Sequence, residues 1–143
     1  ASAVEAGLVH NEHWATKVAA RQVYELTGVS PDEIDLFMCN DFFLASEIVS
    51  AEECGYIPRG EAWKYAIEGR TAYDGDKPIN PHGGRCNFGH AHGASGIADI
   101  YEAVKQMRGE AGATQMAKRP DTTFVRGFGG SQNVRCQILR AVR

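Results

Sequence analysis

Gly83-Gly84-Arg85-Cys86-Asn87-Phe88-Gly89-His90-Ala91-His92-Gly93-Ala94-Ser95-Gly96 is the densest run of chemistry in this chain. With His82 just ahead of it, the run gathers three of the chain's five histidines. Its glycines permit turns closed to other residues and let backbone approach a ligand. Ile97, Ile100, Tyr101, Val104 and Met107 follow at spacings that mark one face of an amphipathic helix. A helix is therefore expected over residues 95–108, closed by Gly109 and Gly112. That sets His90 just before a helix N-terminus, where free backbone N–H groups and the helix dipole favour anionic oxygen. A histidine in such company points to acid–base chemistry.

Outward from this segment, helical and strand-like stretches alternate. Ala15, Val18, Ala19, Val23 and Leu26 suggest a helix over residues 11–27, stopped by Gly28. Ser30-Pro31-Asp32-Glu33 has the form of a capping box with proline at the first helical position, expected to give one turn. Ile34, Leu36, Phe37, Met38 and Cys39 form a compact apolar run suited to a buried parallel strand, ended by Asn40-Asp41. Leu44, Ile48 and Ala51 imply a second helix ending before Gly55. Residues 55–77 read as an ordered, irregular excursion with Trp63, Tyr65 and Tyr73 as aromatic anchors, and Pro78-Ile79-Asn80 as a short strand. Residues 122–128 and 133–142 are two apolar-rich runs around Gly129-Gly130-Ser131-Gln132, a turn sequence that predicts an antiparallel hairpin. The expected architecture is a single layered α/β domain over residues 1–143, with a mixed, mostly parallel sheet, flanking helices and a C-terminal antiparallel hairpin. In such sheets ligands collect beyond the carboxyl ends of strands, where Asn40-Asp41, the histidine segment and the glycine turn at 127–130 would meet.

Composition excludes several classes. A net charge of -3 with scattered basic residues argues against a nucleic-acid surface, and no apolar run approaches a membrane span. The four cysteines form no Cys-x-x-Cys pair, so reduced thiols and a cytoplasmic setting are expected. No basic region followed by an apolar core opens the chain, and its first residue is not methionine. A fragment, a processed piece or a separate subunit is the expectation.

From about Val18 to Val142 these segments resemble the C-terminal portion of the thiolase superfamily, nearest in pattern to sterol-carrier-type and archaeal-type thiolases. Gly89-His90-Ala91-His92-Gly93-Ala94-Ser95-Gly96 resembles the family's Gly-His-Pro-x-Gly-Ala-Ser/Thr-Gly motif with alanine in place of proline. Cys39-Asn40-Asp41-Phe42-Phe43 resembles the Asn-Glu-Ala-Phe or His-Asp-x-Phe segment. The resemblance implies that His90 activates a nucleophilic cysteine and helps bind the thioester oxygen, while Asn40 serves the oxyanion hole. Phe42, Gly89, His92, Gly127, Phe128 and Gly129 would line the substrate. The implied substrates are acyl-CoA and CoA, with no metal or other cofactor. The implied reaction is thiolytic cleavage or Claisen condensation of a 3-oxoacyl-CoA. Many thiolases carry a second catalytic cysteine where Gly127 stands here. The acylated cysteine belongs to the family's N-terminal half, so it would come from another chain or segment, in a homo- or hetero-oligomer. A small accessory CoA-binding protein is a further implied partner.

Blander readings stand beside these. Asn40 could cap the following helix, and His92 could be structural or substrate-lining. His82, Cys86, His90 and His92 have a spacing that would suit zinc, although the glycines and the family motif explain it better. Phe42, Phe43 and the four cysteines fit packing roles. A noncatalytic acyl-CoA-binding or scaffold module and a thiolase-like retro-aldolase are the rival functions.

Overall fold

The computed structural model describes residues 14–129 and 133–142. Helix α1 (Trp14–Thr27) ends at Gly28, whose φ of +68° suits the stop that glycine provides. Residues 11–13 of the expected first helix lie outside the described residues. The capping box forms: the Ser30 backbone N–H and hydroxyl both meet Glu33 Oε2, and Pro31–Glu33 make a single 3-10 turn. Strand β1 (Leu36–Cys39) follows, buried along its whole length, then helices α2 (Leu44–Glu53) and α3 (Ala62–Ile67). A short helix α4 (Gly84–Phe88) precedes the histidine loop and the long helix α5 (Gly93–Arg108) leaves it. Strands β2 (Thr122–Phe128) and β3 (Val134–Arg140) close the fold.

The sheet runs β1-β2-β3, with β1 parallel to β2 and β2 antiparallel to β3. This is the expected mixed sheet with its C-terminal hairpin. The short strand expected at residues 78–80 contributes one parallel bridge, Phe37 with Ile79. Strand alternation divides the core. Phe37, Cys39 and Phe124 face α1 and α2 together with Tyr56 and Ile57, while Leu36, Met38 and Val125 face α5 around Ala103 and Met116. Phe37 stacks against Tyr56 and Phe124 with centroids 5.3 and 5.5 Å away, which fixes the register of β1 within its layer.

Four expectations need correction. Residues 62–67 and 84–88 are helical where the sequence suggested irregular chain, because helices this short leave almost no periodic signal. Leu26, placed on the inner face of α1, is 85% exposed; Thr16 and Ala20 are the buried residues there. Phe43, read as core, is 67% exposed. On α5 the stripe through Ile97 and Tyr101 does not face this core. Both are exposed, and Ser95, Asp99, Ala103 and Gln106 point inward instead. The inward polar groups are tolerable because they are bonded: Asp99 pairs with Arg85, and Gln106 Oε1 accepts the Met116 N–H while Nε2 donates to the Thr114 carbonyl.

Asp35 joins the entrances of β1 and β2. Its Oδ2 accepts the N–H groups of Asp121 and Thr122 at 2.9 and 3.0 Å, and its Oδ1 meets Lys118 Nζ at 3.2 Å. Burial raises this carboxyl, but the two N–H donors and the Lys118 ammonium outweigh it and hold its pKa below the ordinary value. A depressed folded-state pKa gives stability that is present above the unfolded value and lost as pH falls through the folded one. Asp35→Asn is therefore expected to lower the urea midpoint at pH 7, with the difference from wild type shrinking toward pH 3. A constant difference across that range would reject the ionised-acceptor role.

Candidate functional site

The carboxyl end of β1 delivers Asn40, Asp41 and Phe42. The Asn40 N–H continues the parallel ladder by donating to the Arg126 carbonyl at 3.3 Å. On the other side the Asn80 side chain imitates a neighbouring strand, its Oδ1 accepting the Cys39 N–H at 2.9 Å and its Nδ2 donating to the Cys39 carbonyl at 3.0 Å. Asn40 is thus held between two ladders and is only 2% exposed.

The histidine loop is docked onto the same strand end. Asp41 Oδ1 accepts the Arg85 N–H at 2.5 Å, and the Cys86 thiol donates to the Asp41 carbonyl at 2.9 Å. Farther along, the Arg85 guanidinium pairs with Asp99 at 2.6 Å, tying α4 to α5 across the loop between them. His82 Nε2 lies 3.3 Å from the same guanidinium. Burial outweighs Arg85 at Asp99 and pushes its carboxyl up to about 6; burial likewise lowers His82. Gly89 takes φ +80° and His92 takes φ +46°, so the turn bends through backbone that favours glycine, and one residue there is not glycine.

These supports bring His90 and Asn40 together. Asn40 Nδ2 lies 3.1 Å from His90 Nδ1, and Ser95 Oγ lies 3.1 Å from the same nitrogen. The Phe42 N–H donates to Asn40 Oδ1 at 3.3 Å, which turns the amide so that its NH₂ faces the imidazole. Ser95 Oγ accepts the Ala91 N–H at 2.9 Å, leaving its own proton free for the ring. In the tautomer that suits these two donors Nδ1 accepts and Nε2 carries the N–H, and Nε2 has no hydrogen-bond partner among the described residues. Phe42 stacks on the ring at 4.8 Å and 13°, and His92 meets its edge at 5.2 Å. Phe128 completes an aromatic wall 5.9 Å from Phe42. A cavity of about 230 Å³ opens beside His92, Gly127, Phe128 and Gly129. Of the residues expected to line a substrate, His92, Gly127, Phe128 and Gly129 wall this cavity, Phe42 touches Phe128, and Gly89 adjoins His90 without lining the cavity.

Asn40 does not act as a simple cap: the N-cap residue of α2 is Phe43. No described group of three or more His, Cys, Asp or Glu residues is placed to hold a metal ion. Cys86, expected to be buried, is exposed. Desolvation and the Asp41 and Glu47 carboxylates raise its thiol, so it is no activated nucleophile. Cys39 and Cys54 are buried, with pKa pushed well up by that burial. Cys136 is lowered by a hydrogen bond from Cys54, but it belongs to the core layer under α1.

Five participating residues were not singled out from the sequence. Ser95 lay in plain view inside the motif. Asn80 sat in a stretch read only as strand. The Arg85–Asp99 pair joins residues with no shared pattern. Glu47 on α2 is held up at about 7 by burial and the nearby Asp41 carboxylate, so it keeps a proton close to neutral pH.

The family model described as thiolase C-terminal domain-like matches residues 8–139. An acetyl-CoA acetyltransferase of Methanothermobacter thermautotrophicus is 39% identical over 122 residues, covering 84% of this chain and 32% of that protein. Benzoylsuccinyl-CoA thiolase subunit BbsB of Thauera aromatica is 32% identical, covering 84% and 31%. Sterol carrier protein 2 of Bos taurus is 40% identical over 101 residues, covering 71% of this chain and 19% of that one. Among solved structures, the Ltp2-ChsH2(DUF35) aldolase superposes with a TM-score of 0.76 at 27% identity, over 88% of this chain and 31% of that one. The chain spans about a third or less of the length of these proteins. No described helix is long and apolar enough to cross a membrane. A match that runs through β1, the histidine loop, α5 and the hairpin alike places this chain in the family of thiolase C-terminal domain-like proteins.

Proposed function

We propose that this chain supplies the Asn40–His90 part of a thiolase-type site that cleaves or forms 3-oxoacyl-CoA, the nucleophilic cysteine coming from sequence outside these residues. The observation that carries the reading is the imidazole of His90 held through Nδ1 by Asn40 and Ser95, with Nε2 left unpartnered among the described residues. In thiolysis the cysteine sulfur adds to the C3 carbonyl, and the C2–C3 bond breaks. C2 is then protonated to release the shorter CoA thioester, and the acyl group passes from cysteine to the thiol of free CoA. A donor on Nε2 suits the oxyanion and enolate oxygens that arise in these steps. Asn40 fixes the ring, and the second hydrogen on its Nδ2 remains for a bound water. The exposed Ile97 and Tyr101 on α5 fit a surface covered by the rest of a thiolase subunit or by another chain. Acyl-CoA, CoA and a second thiolase segment or chain are thus the proposed partners, with an accessory CoA-binding protein as a further one.

The likeness to a solved aldolase favours one second reading, retro-aldol cleavage of a 3-hydroxyacyl-CoA by the same pair. Both are tested on the full-length protein carrying this chain, assayed with acetoacetyl-CoA plus CoA and with a tertiary 3-hydroxyacyl-CoA. Thiolysis only of the first supports the thiolase reading; CoA-independent cleavage only of the second transfers the site to the aldolase reading. Asn40→Ala is expected to lower kcat by about 10- to 10³-fold with little change in KM. An unaltered kcat would reject its role.

A further inference from the structure

Arg135, an exposed residue of β3, lines the cavity beside His92. In the antiparallel register Gly127 lies opposite Arg135. Val125 and Leu139 pack in the layer under α5, so by alternation Gly127 and Arg135 share that same face. Gly127 puts no side chain there, and a Cβ added to it would meet nothing nearer than the Arg135 carbonyl at 3.9 Å. The gap so left is walled by His92, Gly93 and Gly96 at the start of α5, by Phe128, and by Arg135. Among the described residues no acidic side chain lines it. Among the described residues Arg135 has no ion pair. At about 230 Å³ the space falls below the roughly 300 Å³ of a complete small-ligand pocket. It suits the far end of a short acyl chain rather than a whole thioester.

We propose that Arg135 binds a carboxylate at the distal end of the acyl chain, making this a site for dicarboxylic 3-oxoacyl thioesters. The proposal rests on the reading of His90 as the thioester-handling group. His92, in edge contact with His90, lines the cavity together with Arg135, so one cavity touches both the His90 side and a cation. A guanidinium presents paired N–H donors that match a carboxylate. Side-chain-free Gly127 keeps the path between them open. A fatty chain ending in methyl would leave that cation unmatched.

The test uses the full-length protein carrying this chain. Thiolysis of 3-oxoadipyl-CoA is compared with that of 3-oxohexanoyl-CoA, which has the same chain length but ends in methyl. Binding of adipyl-CoA and hexanoyl-CoA is measured alongside by calorimetry. Wild type is expected to favour the carboxylate-ended member of each pair. Arg135→Gln is expected to cost about 10- to 100-fold on that member only, and Arg135→Lys to restore part of it. Equal losses on both members would assign Arg135 to CoA or to the fold, and no loss on either would leave it idle; each result overturns the proposal. A wild type that turns over neither substrate defeats the thiolysis reading alone. Preferential binding of adipyl-CoA, abolished in Arg135→Gln, would still uphold the carboxylate site, and equal binding of the two would end it.

Discussion

Replacing His90 by alanine in the full-length protein is expected to lower 3-oxoacyl-CoA thiolysis by about 10²- to 10⁴-fold, the range typical of a positioned acid–base group. The far-UV circular dichroism should be unchanged, because no backbone hydrogen bond in the loop depends on the ring. Stability should fall, since Asn40, 2% exposed with the ring in place, loses the partner of its Nδ2. An unpaired buried donor costs about 1–3 kcal/mol. The combination is diagnostic: a modest shift in the urea midpoint with a large fall in kcat. His90→Gln separates the two effects, because its amide can restore a partner for Asn40 without acting as an acid or base. If His90→Gln regains stability but not rate, His90 acts in the chemistry. If turnover survives either substitution, the catalytic assignment is wrong and the loop serves only to hold the fold.

The meeting of Asn40 and His90 was legible in the sequence for a physical reason. Asn40 follows a strand and the His82 to His92 segment follows the strand-like run 78–80, so chain direction leads both toward one end of the sheet, where α4, which the sequence did not show, docks the loop onto Asp41. The glycine pattern around His90 and the polar stop after Cys39 mark the positions. What the sequence withheld depended on partners rather than on pattern. The apolar stripe through Ile97 and Tyr101 establishes that α5 is a helix, but periodicity cannot say what that face meets. Ser95, Asp99 and Gln106 are buried because each has a hydrogen-bond partner, and Arg85, the partner of Asp99, lies in a helix too short to leave a period.

Arg126 makes the same point more sharply. In the sequence it is marked only as the residue before Gly127, yet it is fully buried, and its guanidinium reaches Thr16 Oγ1 at 3.0 Å and Ser46 Oγ at 3.3 Å. Thr16 is 110 residues away along the chain. Burial pulls the pKa of this guanidinium down, and its hydroxyl partners carry no compensating charge. No local rule applied to residues 122–128 finds such a contact. The sheet itself follows from apolar runs, whereas the polar ties that lock α1, α2 and β2 together emerge only once the layers are stacked.

The largest structural effect is expected at Gly84, where fold and site meet. Gly84 opens α4 with φ +63°, and a Cβ there would overlap the Asp41 carboxylate. Asp41 cannot easily yield: it is 3% exposed, its Oδ1 accepts the Arg85 N–H, and its carbonyl accepts the Cys86 thiol. Gly84→Ala therefore adds left-handed backbone strain to a clash in a packed interior. The expected loss is about 2–5 kcal/mol, from roughly 1–2 for the backbone and 1–3 for overpacking. Gly28→Ala is the control. Its φ of +68° is close to that of Gly84, but no atom lies within 4 Å of the added Cβ. Urea unfolding of the two variants should thus differ chiefly by the overlap. Displacing Asp41 also moves Asn40, its chain neighbour, so the surviving folded Gly84→Ala protein should show a reduced kcat. Equal unfolding midpoints for the two variants would mean that Asp41 shifts freely and that α4 is not what anchors the histidine loop to β1.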